Sequence, residues 1–372
     1  MDRIRVGVIG ASPDRGWAAT AHIPALRALP EFELTAVGTS RPESAQEAAR
    51  AFGAPHAFTD ARMLAEHPEV DLVVVTVKVS AHAELVGAAL AAGKHVYCEW
   101  PLGLTTEEAE HLAASARTAG VHDVIGLQAR YAPAVSYARE LIAQGYVGRV
   151  TSVHVHAVRG KGAAGGIPAW AAYTLDGAQG AGLLEVVGGH TLDVLEYLAG
   201  DFTELAAALA VQRTGYTVAE SGDAVTSTSP DQVLLHGVLT GGAMASVHLE
   251  DARVGDNRTV LEIAGTEGDL TVVAAGDWKS AQIQISEPRL RGTREVGTPY
   301  QDLPVPEHHR SIPAEIPAEA ARNVARVYAR LADDIRDGGR SVAGFDHGVR
   351  LHRLLDAIRE SAETSATHPV AR

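Results

Sequence analysis

The sequence VGVIGASPDRGW occupies residues 6–17 and decides the fold. A short apolar strand at 6–9 ends in a glycine, and a helical pattern follows at 18–29. Glycine suits this corner because the backbone must turn tightly and approach a pyrophosphate, whose charge then lies at the helix N-terminus. Although Ser12 replaces the second glycine of the usual motif, the position after a first strand favours dinucleotide binding over a plain turn. The loop residues predicted to bind the dinucleotide are Gly10, Ser12, Gly16 and Trp17.

Around this loop, residues 1–127 alternate between strand-like runs and helical patterns. Such nearly continuous apolar strands, separated by helices, are typical of a parallel sheet covered on both faces. Thr105 and Glu108 form a capping-box pattern, and Gly93 and Gly120 stand where two helices should end. Residues 1–127 are therefore predicted to form an NAD(P)-binding Rossmann domain. The further strands are predicted at 32–37, 56–58, 72–77, 95–98 and 124–125.

The second strand ends in GTSRP, residues 38–42. NAD-preferring sites usually present a carboxylate to the ribose hydroxyls at this position, and here there is none. The Ser40 hydroxyl can hydrogen-bond a 2′-phosphate, and the Arg41 guanidinium can pair with it. The pattern favours NADP(H) over NAD(H). The alternative is that Ser40 caps the helix that begins after Pro42.

After residue 128 the pattern changes. Strands follow one another without intervening helices, which indicates an antiparallel sheet. The predicted fold class is α/β, with a C-terminal α+β domain at 128–372 that carries a large, open, mainly antiparallel sheet. Helices are predicted at 137–144 and 182–199, with two more in 314–363, and strands at 150–158, 204–212, 232–239, 243–250, 259–264, 269–274 and 281–286.

Two segments of this region look irregular. Residues 159–166 form a glycine-rich loop, either a substrate-side lid or a plain connection. Residues 287–313 are rich in proline and are predicted to lie on the surface without regular structure.

Composition excludes several classes of protein. The chain of 372 residues has a formal net charge of −14, so it offers no basic surface for nucleic acid. Apolar residues make up 46% and charged residues 21%, an ordinary globular composition. No apolar run approaches the length of about 18 residues that suggests a membrane span. A single cysteine, Cys98, and no secretory apolar region near the N-terminus predict a cytoplasmic protein.

Motifs spread over most of the chain resemble the Gfo/Idh/MocA family of glucose-fructose oxidoreductases and inositol dehydrogenases. The resemblance implies a Rossmann domain, a C-terminal domain whose open sheet often serves oligomerisation, and hydride transfer to or from a sugar, polyol or related compound. It also implies a homodimer or homotetramer formed through that sheet. The motifs are VGVIG (6–10), His82, GKHVYCEWPL (93–102), GLQARY (126–131), GHTLD (189–193) and GTEG (265–268).

Two departures from the family pattern concern its catalytic residues. Members with dehydrogenase activity usually carry Glu-Lys-Pro, whose lysine acts near the reacting hydroxyl, whereas this chain has Trp100 in place of the lysine. They also tend to carry an aspartate where Val186 stands. Of the family's lysine, aspartate and histidine, only the histidine remains here, as His190. A tryptophan at this position resembles the pattern of another branch of the family, that of the fungal galactose-regulon repressor. This branch binds a dinucleotide but works by protein contact. Further segments that resemble this branch are 16–18, 77–82, 127–130 and 144–148.

Several polar residues in these motifs are candidates for chemistry. His190 is the predicted acid or base because an unperturbed imidazole titrates near neutrality, the alternative being a core histidine bonded to a backbone carbonyl. Asp193 could orient it or bind a hydroxyl. Lys78, at the end of the fourth strand, either replaces the missing lysine, contacts the cofactor or is solvated. Trp100 either stacks on a nicotinamide or sugar face or packs as a core side chain.

The resemblance completes the predicted site. The nicotinamide is expected near Glu99, Trp100, Gln128 and His190. Tyr173 is either a substrate contact or a surface aromatic. The remaining predicted cofactor contacts are Thr76, Lys78, His82, Glu99, Trp100 and Gln128, and the predicted substrate contacts are Trp100, Tyr173, His190 and Asp193.

No metal is predicted. His154 and His156 share one face of a strand, and His308 and His309 are adjacent in a loop, but no further metal-ligand spacing accompanies them.

Two hypotheses of function follow. The first is an NADP(H)-dependent oxidoreductase that acts on a sugar-like or other small hydroxyl or carbonyl compound without the usual lysine. The second is a catalytically silent NADP-binding sensor that acts through a protein partner. Lyase or epimerase chemistry with a tightly held cofactor is a lesser alternative. A small-molecule substrate is expected, with neither nucleic acid nor membrane as a partner.

Overall fold

The computed structural model describes residues 3–14, 16–310, 312–316 and 319–371. The chain divides into two compact units. The first comprises the described residues up to 128 together with those from 312 to 352, and the second comprises residues 129–310 and those from 353 onward. Within the described residues, no helix combines the length and the apolarity that a membrane span requires.

The first unit is built on a six-stranded sheet. Its strands are β1 (Ile4–Ile9), β2 (Phe32–Gly38), β3 (His56–Phe58), β4 (Leu72–Val75), β5 (His95–Glu99) and β6 (Asp123–Gly126), and its helices up to this point are α1 (Ile23–Ala28), α2 (Pro42–Phe52), α3 (Ala61–Glu66), α4 (His82–Ala91) and α5 (Thr106–Ala119). The strand order is β3-β2-β1-β4-β5-β6, and every pair is parallel. All four residues of β4 are fully buried, as expected for a strand covered on both faces. The predicted Rossmann sheet is confirmed.

Local signals fixed most of the helix ends in this unit. Thr105 Oγ1 accepts a hydrogen bond from the Glu108 backbone N–H at 3.1 Å, and Gly93 and Gly120 both adopt left-handed backbone with φ of +67°. The predicted helix at 18–29 differs in detail, since a π-helical turn at Ala18–His22 precedes α1. Pro24 near the start of α1 has no N–H to donate, so α-helical bonding starts afresh there.

The second unit contains a nine-stranded sheet and a three-stranded sheet. Its elements up to residue 302 are α6 (Pro133–Ala143), β7 (Val150–Val158), β8 (Gly166–Ile167), α7 (Gly189–Ala199), β9 (Phe202–Ala210), β10 (Gly215–Val218), β11 (Ala224–Thr226), β12 (Gln232–Leu239), β13 (Met244–Glu250), β14 (Arg258–Gly265), β15 (Asp269–Ala275), β16 (Arg289–Thr293) and β17 (Gln301–Asp302). With β18 (His368–Pro369), the large sheet has the order β17-β16-β15-β14-β7-β13-β12-β9-β18. Only its β7–β13 pair is parallel, so the predicted mainly antiparallel sheet is confirmed.

The prediction of a strand at 281–286 is wrong. This segment alternates apolar and polar residues, yet it forms successive turns. Asp277 Oδ1 accepts bonds from the backbone N–H groups of Lys279 and Ser280, which starts the turns, and backbone bonds such as Gln282 N–H to Lys279 O continue them. The strand β16 lies instead within 287–313, the segment predicted to be irregular.

The C-terminal helices are α8 (Glu319–Asp337) and α9 (Phe345–Thr364). Both were predicted to lie in the domain at 128–372, but α8 and the first part of α9 group with the first unit. The reason is aromatic packing, because the ring of Tyr328 on α8 lies 5.2 Å from those of Phe32 and Tyr97. The division by contacts therefore differs from the division by sequence.

Candidate functional site

The glycine turn after β1 is fixed by close packing. Gly10 has φ of +92°, and a Cβ there would lie 2.8 Å from Thr76 Oγ1 and 2.9 Å from Val77 Cγ1. No other residue type fits this corner without displacing its neighbours. Gly16 also has a positive φ, of +101°, whereas Arg15 between these positions lies outside the described residues. Within the turn, the Gly10 N–H donates to the Gly38 carbonyl and the Ser12 N–H to the Gly10 carbonyl, both at 2.9 Å, and binding of a dinucleotide by these residues stays a prediction.

A groove of about 1210 Å³ begins at this turn. Its lining comes from the carboxyl ends of β1 and β2, the start of α3 and one side of α4, and it includes Gly10, Ser12, Ser40 and Arg41. In a doubly wound parallel sheet this edge is where ligands bind. The groove thus brings together the glycine turn and the residues predicted to recognise a 2′-phosphate.

Ser40 and Arg41 are exposed in this groove. The alternative in which Ser40 caps α2 is wrong, because the N-cap position is Arg41 and no side chain caps the helix there. Thr39 and Ser44 hydroxyls bond to one another at 2.6 Å instead. The Ser40 hydroxyl is not used as a cap and faces the groove.

Four further charged residues line the groove and were missed in the sequence: Asp60, Arg62, Glu66 and Glu84. Asp60 lines it, but its Oδ1 accepts from the backbone N–H groups of Arg62 and Met63 and so caps α3. Arg62 is exposed and lines the groove with Arg41, which adds positive charge near the end of β2. No local motif could have shown this, since Arg62 reaches the groove only through the pairing of β2 with β3.

The end of β4 carries three predicted residues. Thr76 Oγ1 donates to the Ile9 carbonyl at 2.8 Å and so ties β4 to the glycine turn. Lys78 is exposed just beyond it. His82 is 1% exposed, with Nδ1 at 2.8 Å from the Pro101 carbonyl oxygen and Nε2 at 3.1 Å from that of Val77. Burial lowers the pKa of His82, and because a neutral imidazole carries a single N–H, the neutral ring donates to only one of these two carbonyl oxygens.

Glu99 and Trp100 follow β5 and differ in environment. The Glu99 side chain is 14% exposed, and its Oε1 lies 2.9 Å from Nε2 of His22, a fully buried residue that the sequence analysis did not single out. Trp100 is 5% exposed, and its ring lies 4.8 Å from that of His352. This contact agrees with the packing alternative for Trp100. Stacking on a nicotinamide stays a prediction.

Some buried polar atoms of this unit have no hydrogen-bond partner among the described residues. Nε1 of Trp17, in the segment after the glycine turn, is one of them, and Oε1 of Gln128, a side chain with 1% exposure just after β6, is another. Buried polar groups are seldom left unpaired, so such atoms mark places where a ligand or water binds. Together with the Gly10 corner and the groove, they show that this unit fits a dinucleotide.

The predicted acid–base residues of the second unit lie on α7. His190 is 4% exposed, and a π-helical turn at Leu183–Gly188 precedes it, which changes the spacing between Val186 and His190 from that of an α-helix. Asp193 is fully buried, and both of its carboxylate oxygens accept bonds from the Arg130 guanidinium. Arg130 was quoted in the family motif but was given no role. The carboxylate predicted to serve His190 is thus held by an ion pair.

Tyr173 lies half-buried in a 3₁₀ segment at Ala169–Leu175, and burial raises its pKa. The neighbouring Thr174 accepts a hydrogen bond from Lys161 of the glycine-rich loop. Burial also lowers the pKa of Lys161 to about 8. The loop at 159–166 is therefore attached to the segment that carries Tyr173, and its role as a lid stays a prediction.

The large sheet brings histidines together that are distant in sequence. Parallel pairing of β7 with β13 places His156 opposite His248, and Glu250 Oε1 lies 2.7 Å from His156 Nε2. His154 instead bonds to Ser246. His308 and His309 both contact Glu140. Either group has the donor types of a metal site, and the absence of a metal stays a prediction.

The fold and the groove define a class: a nucleotide-binding protein with a Rossmann unit and a second unit built on a mixed sheet. Comparisons with known proteins agree. Residues 4–126 match the Gfo/Idh/MocA family, described as an oxidoreductase family with an NAD-binding Rossmann fold. Residues 133–274 match the C-terminal domain of Gal80p.

Relatives of both kinds span most of the chain. A putative UDP-kanosamine synthase oxidoreductase subunit of Amycolatopsis mediterranei is 31% identical over 91% of each chain. A levoglucosan dehydrogenase of Pseudarthrobacter phenanthrenivorans is 27% identical over 97% of each chain. The galactose/lactose metabolism regulatory protein GAL80 of Saccharomyces cerevisiae is 27% identical over 87% of this chain and 77% of its own.

A solved structure shows the same fold. A super-repressor mutant of Gal80p from Saccharomyces cerevisiae superposes with a TM-score of 0.87 at 24% identity, covering 99% of this chain and 98% of the other. The protein belongs to the Gfo/Idh/MocA oxidoreductase family.

Proposed function

We propose that this protein is an NADP(H)-dependent oxidoreductase that acts on a sugar-like or other small hydroxyl or carbonyl compound. The observation that carries the proposal is the groove at the carboxyl edge of the parallel sheet, where the glycine turn lies beside Ser40 and Arg41. The relationship to a levoglucosan dehydrogenase over 97% of each chain supports a sugar-like substrate.

The preference for NADP(H) rests on charge. Ser40 and Arg41 offer a hydroxyl and a planar guanidinium to a 2′-phosphate, and Arg62 adds a second positive charge on the same groove. The one carboxylate at the start of α3, Asp60, is bonded to backbone N–H groups. No carboxylate stands directly after β2 to repel the phosphate or to bind ribose hydroxyls.

The residue proposed to move the proton is His190. A bound nicotinamide supplies or accepts the hydride, so the protein must hold and transfer one proton at the reacting oxygen. The family lysine that does this is replaced by Trp100, whose indole cannot take a proton at neutral pH. His190 is buried, and imidazole is the side chain suited to this task near neutral pH.

The direct test is transfer of deuterium from stereospecifically labelled NADPH to acceptors in a metabolite extract, read by mass spectrometry. We expect transfer by the wild-type protein and its loss in His190→Gln. The matched control is His154→Gln, an exposed histidine of the same unit, which should keep full transfer. Full transfer by His190→Gln would remove His190 from the mechanism without removing the proposed activity.

Cofactor preference has its own test. Loss of a charge-assisted contact costs about 1.5–3 kcal/mol, so Arg41→Ala should weaken NADPH binding by about 10- to 100-fold and leave NADH binding nearly unchanged. Arg117→Ala, a change at an exposed arginine on α5 that does not line the groove, should alter neither affinity. Equal losses for both cofactors would contradict the 2′-phosphate assignment.

A second candidate function is supported by separate observations. Residues 133–274 match the Gal80p C-terminal domain, and Trp100 replaces the catalytic lysine. Asp193 is occupied by Arg130 rather than held ready for proton transfer. These observations favour a catalytically silent sensor that binds NADP(H) and acts by protein contact. Tight NADPH binding with no deuterium transfer would favour this function over the enzyme.

A further inference from the structure

A buried hydrogen-bonded chain leads to Glu99 from inside the first unit. His22, the last residue of the π-helical turn after the glycine loop, has no exposed surface. Its Nε2 lies 2.9 Å from Glu99 Oε1, and its Nδ1 lies 2.7 Å from the hydroxyl of Tyr328 on α8. His22 therefore connects the end of β5 to Tyr328, which lies 306 residues after His22 in the sequence.

The chemistry of the three groups fixes the direction of the chain. A carboxylate can only accept, so Nε2–H of His22 donates to Glu99. In the neutral tautomer that carries its hydrogen on Nε2, Nδ1 accepts from the Tyr328 hydroxyl, which keeps its proton because burial raises the pKa of Tyr328 well above its usual value. The ring of His22 is held edge-on against that of Tyr97, 5.0 Å between centroids. Each donor thus has one acceptor, and the carboxylate receives the last bond.

The hydrogen-bonded chain from Glu99 through His22 ends at Tyr328, in the protein interior. Tyr328 is fully buried, so no proton can pass from it to solvent, and the arrangement orients Glu99 rather than relaying protons. The backbone of Gly126 also restrains the Glu99 carboxylate, because the two are packed so closely that a Cβ on Gly126 would lie 2.6 Å from Glu99 Oε1. The carboxylate is therefore folded over the end of β6, with Oε1 fixed. Among the described residues, Oε2 accepts no hydrogen bond, and the side chain is 14% exposed.

The strand order places Glu99 away from the 2′-phosphate residues. Arg41 follows β2 and Glu99 ends β5, with β1 and β4 between them. Three strand spacings separate these positions, roughly 14 Å. A dinucleotide whose adenosine end lies at Arg41 and whose pyrophosphate lies at the glycine turn extends toward Glu99 with its nicotinamide end.

We propose that His22 and Tyr328 are positioning residues that set Glu99 Oε2 to accept a hydrogen bond from an N–H or O–H group of the nicotinamide riboside end of the cofactor. The inference rests on the proposed binding of NADP(H), not on catalysis. It assigns His22 and Tyr328 no contact with the cofactor.

The test compares two ligands by calorimetry: NADPH, and 2′-phospho-ADP-ribose, which lacks the nicotinamide. His22→Ala should weaken NADPH by about tenfold or more and the truncated ligand by less than about twofold, since only the former needs Glu99. Glu99→Ala should show the same selectivity. His22→Gln, which keeps a donor and an acceptor, should restore NADPH binding to within about threefold. The fluorescence maximum of bound NADPH should shift in His22→Ala and return in His22→Gln.

Two further variants keep the inference falsifiable. Tyr328→Phe keeps the packed ring and removes only the hydroxyl, so it carries the test if His22→Ala fails to fold, with an expected selective loss of about two- to fivefold. His56→Ala removes the matched histidine of the exposed His56–Glu69 pair and should change neither affinity.

Equal weakening of both ligands in His22→Ala and Tyr328→Phe would show a purely structural role and overturn the inference while leaving the proposed function intact. Unchanged binding in both variants would also overturn it. A wild-type protein that binds neither ligand would remove the proposed function and this inference together.

Discussion

Each unit of the molecule buries a carboxylate against a basic side chain, and the two pairs differ. Asp193 of the second unit is fully buried, and both of its oxygens accept from the guanidinium of Arg130. Glu99 of the first unit is 14% exposed and accepts from His22 through one oxygen only. One carboxylate is saturated by protein, whereas the other keeps an acceptor position for a ligand.

The difference separates structural from functional charge. A guanidinium is always charged and binds carboxylates through a planar fork, so Arg130 removes Asp193 from other chemistry. An imidazole donates a single bond and leaves the second carboxylate oxygen to other donors. By this criterion Glu99 is better placed than Asp193 to contact a ligand, although both residues belong to motifs quoted from the sequence.

The largest effect on the free energy of unfolding is expected from breaking the pair of Asp193 and Arg130. Asp193→Asn leaves Arg130 as a buried charge without its counter-ion and should lower the free energy of unfolding by about 3–5 kcal/mol. Chemical denaturation followed by circular dichroism measures this. Asp356→Asn, at an exposed i,i+3 pair with Arg359 in the same unit, should change it by less than about 0.5 kcal/mol. A loss for Asp193→Asn as small as that of its control would contradict the structural assignment.

Lys161 extends the comparison, because its ammonium group donates to the Thr174 hydroxyl and forms no ion pair with a carboxylate of the described residues. Burial, with a contribution from Arg159, lowers the pKa of Lys161 from 10.5 to about 8. Below pH 8 the folded state must hold a desolvated ammonium. Between pH 8 and about 10.5 the unfolded state binds more protons than the folded state, so stability rises with pH in that range.

Lys161→Met should therefore stabilise the protein at pH 7 by on the order of 1–3 kcal/mol, and this advantage should fade toward pH 10. Thermal unfolding of both proteins across pH 7–10 measures the difference. Lys279→Met, at an exposed lysine of the same unit, should leave the pH profile unchanged. An advantage that stays constant with pH would show that packing, and not the titration of Lys161, causes it.

The smallest effect on the free energy of unfolding is expected at the pair of Glu99 and His22, in which only one carboxylate oxygen accepts a hydrogen bond. Glu99→Gln keeps a carbonyl oxygen for the His22 donor and removes a charge that is partly solvated, so the free energy of unfolding should fall by about 1 kcal/mol. The same denaturation experiment compares it with Asp193→Asn. A loss equal to that of Asp193→Asn would mean that both pairs serve stability, and the distinction drawn between them would fail.

The first unit was readable from sequence because its signals are local. The glycine turn, the apolar strands, the Thr105 cap and the helix ends at Gly93 and Gly120 each depend on a few consecutive residues. The error at 281–286 has the same origin, since period-two alternation was the only local signal there and the Asp277 side chain bonds overrode it. The alternative in which Ser40 caps α2 is wrong because the helix begins after Arg41, and the hydroxyls of Thr39 and Ser44 bond to one another beside it.

The sequence by itself determined the alternation of strands and helices, the position that only glycine can occupy, and the residue types offered to a 2′-phosphate. Tertiary structure alone decided that α8 joins the first unit, that Tyr328 and His22 meet at Glu99, and that Arg130 holds Asp193. The physical reason is separation along the chain. Turns and caps involve neighbours, whereas a buried polar group finds its partner wherever folding brings one within bonding distance, and no local pattern records that partner.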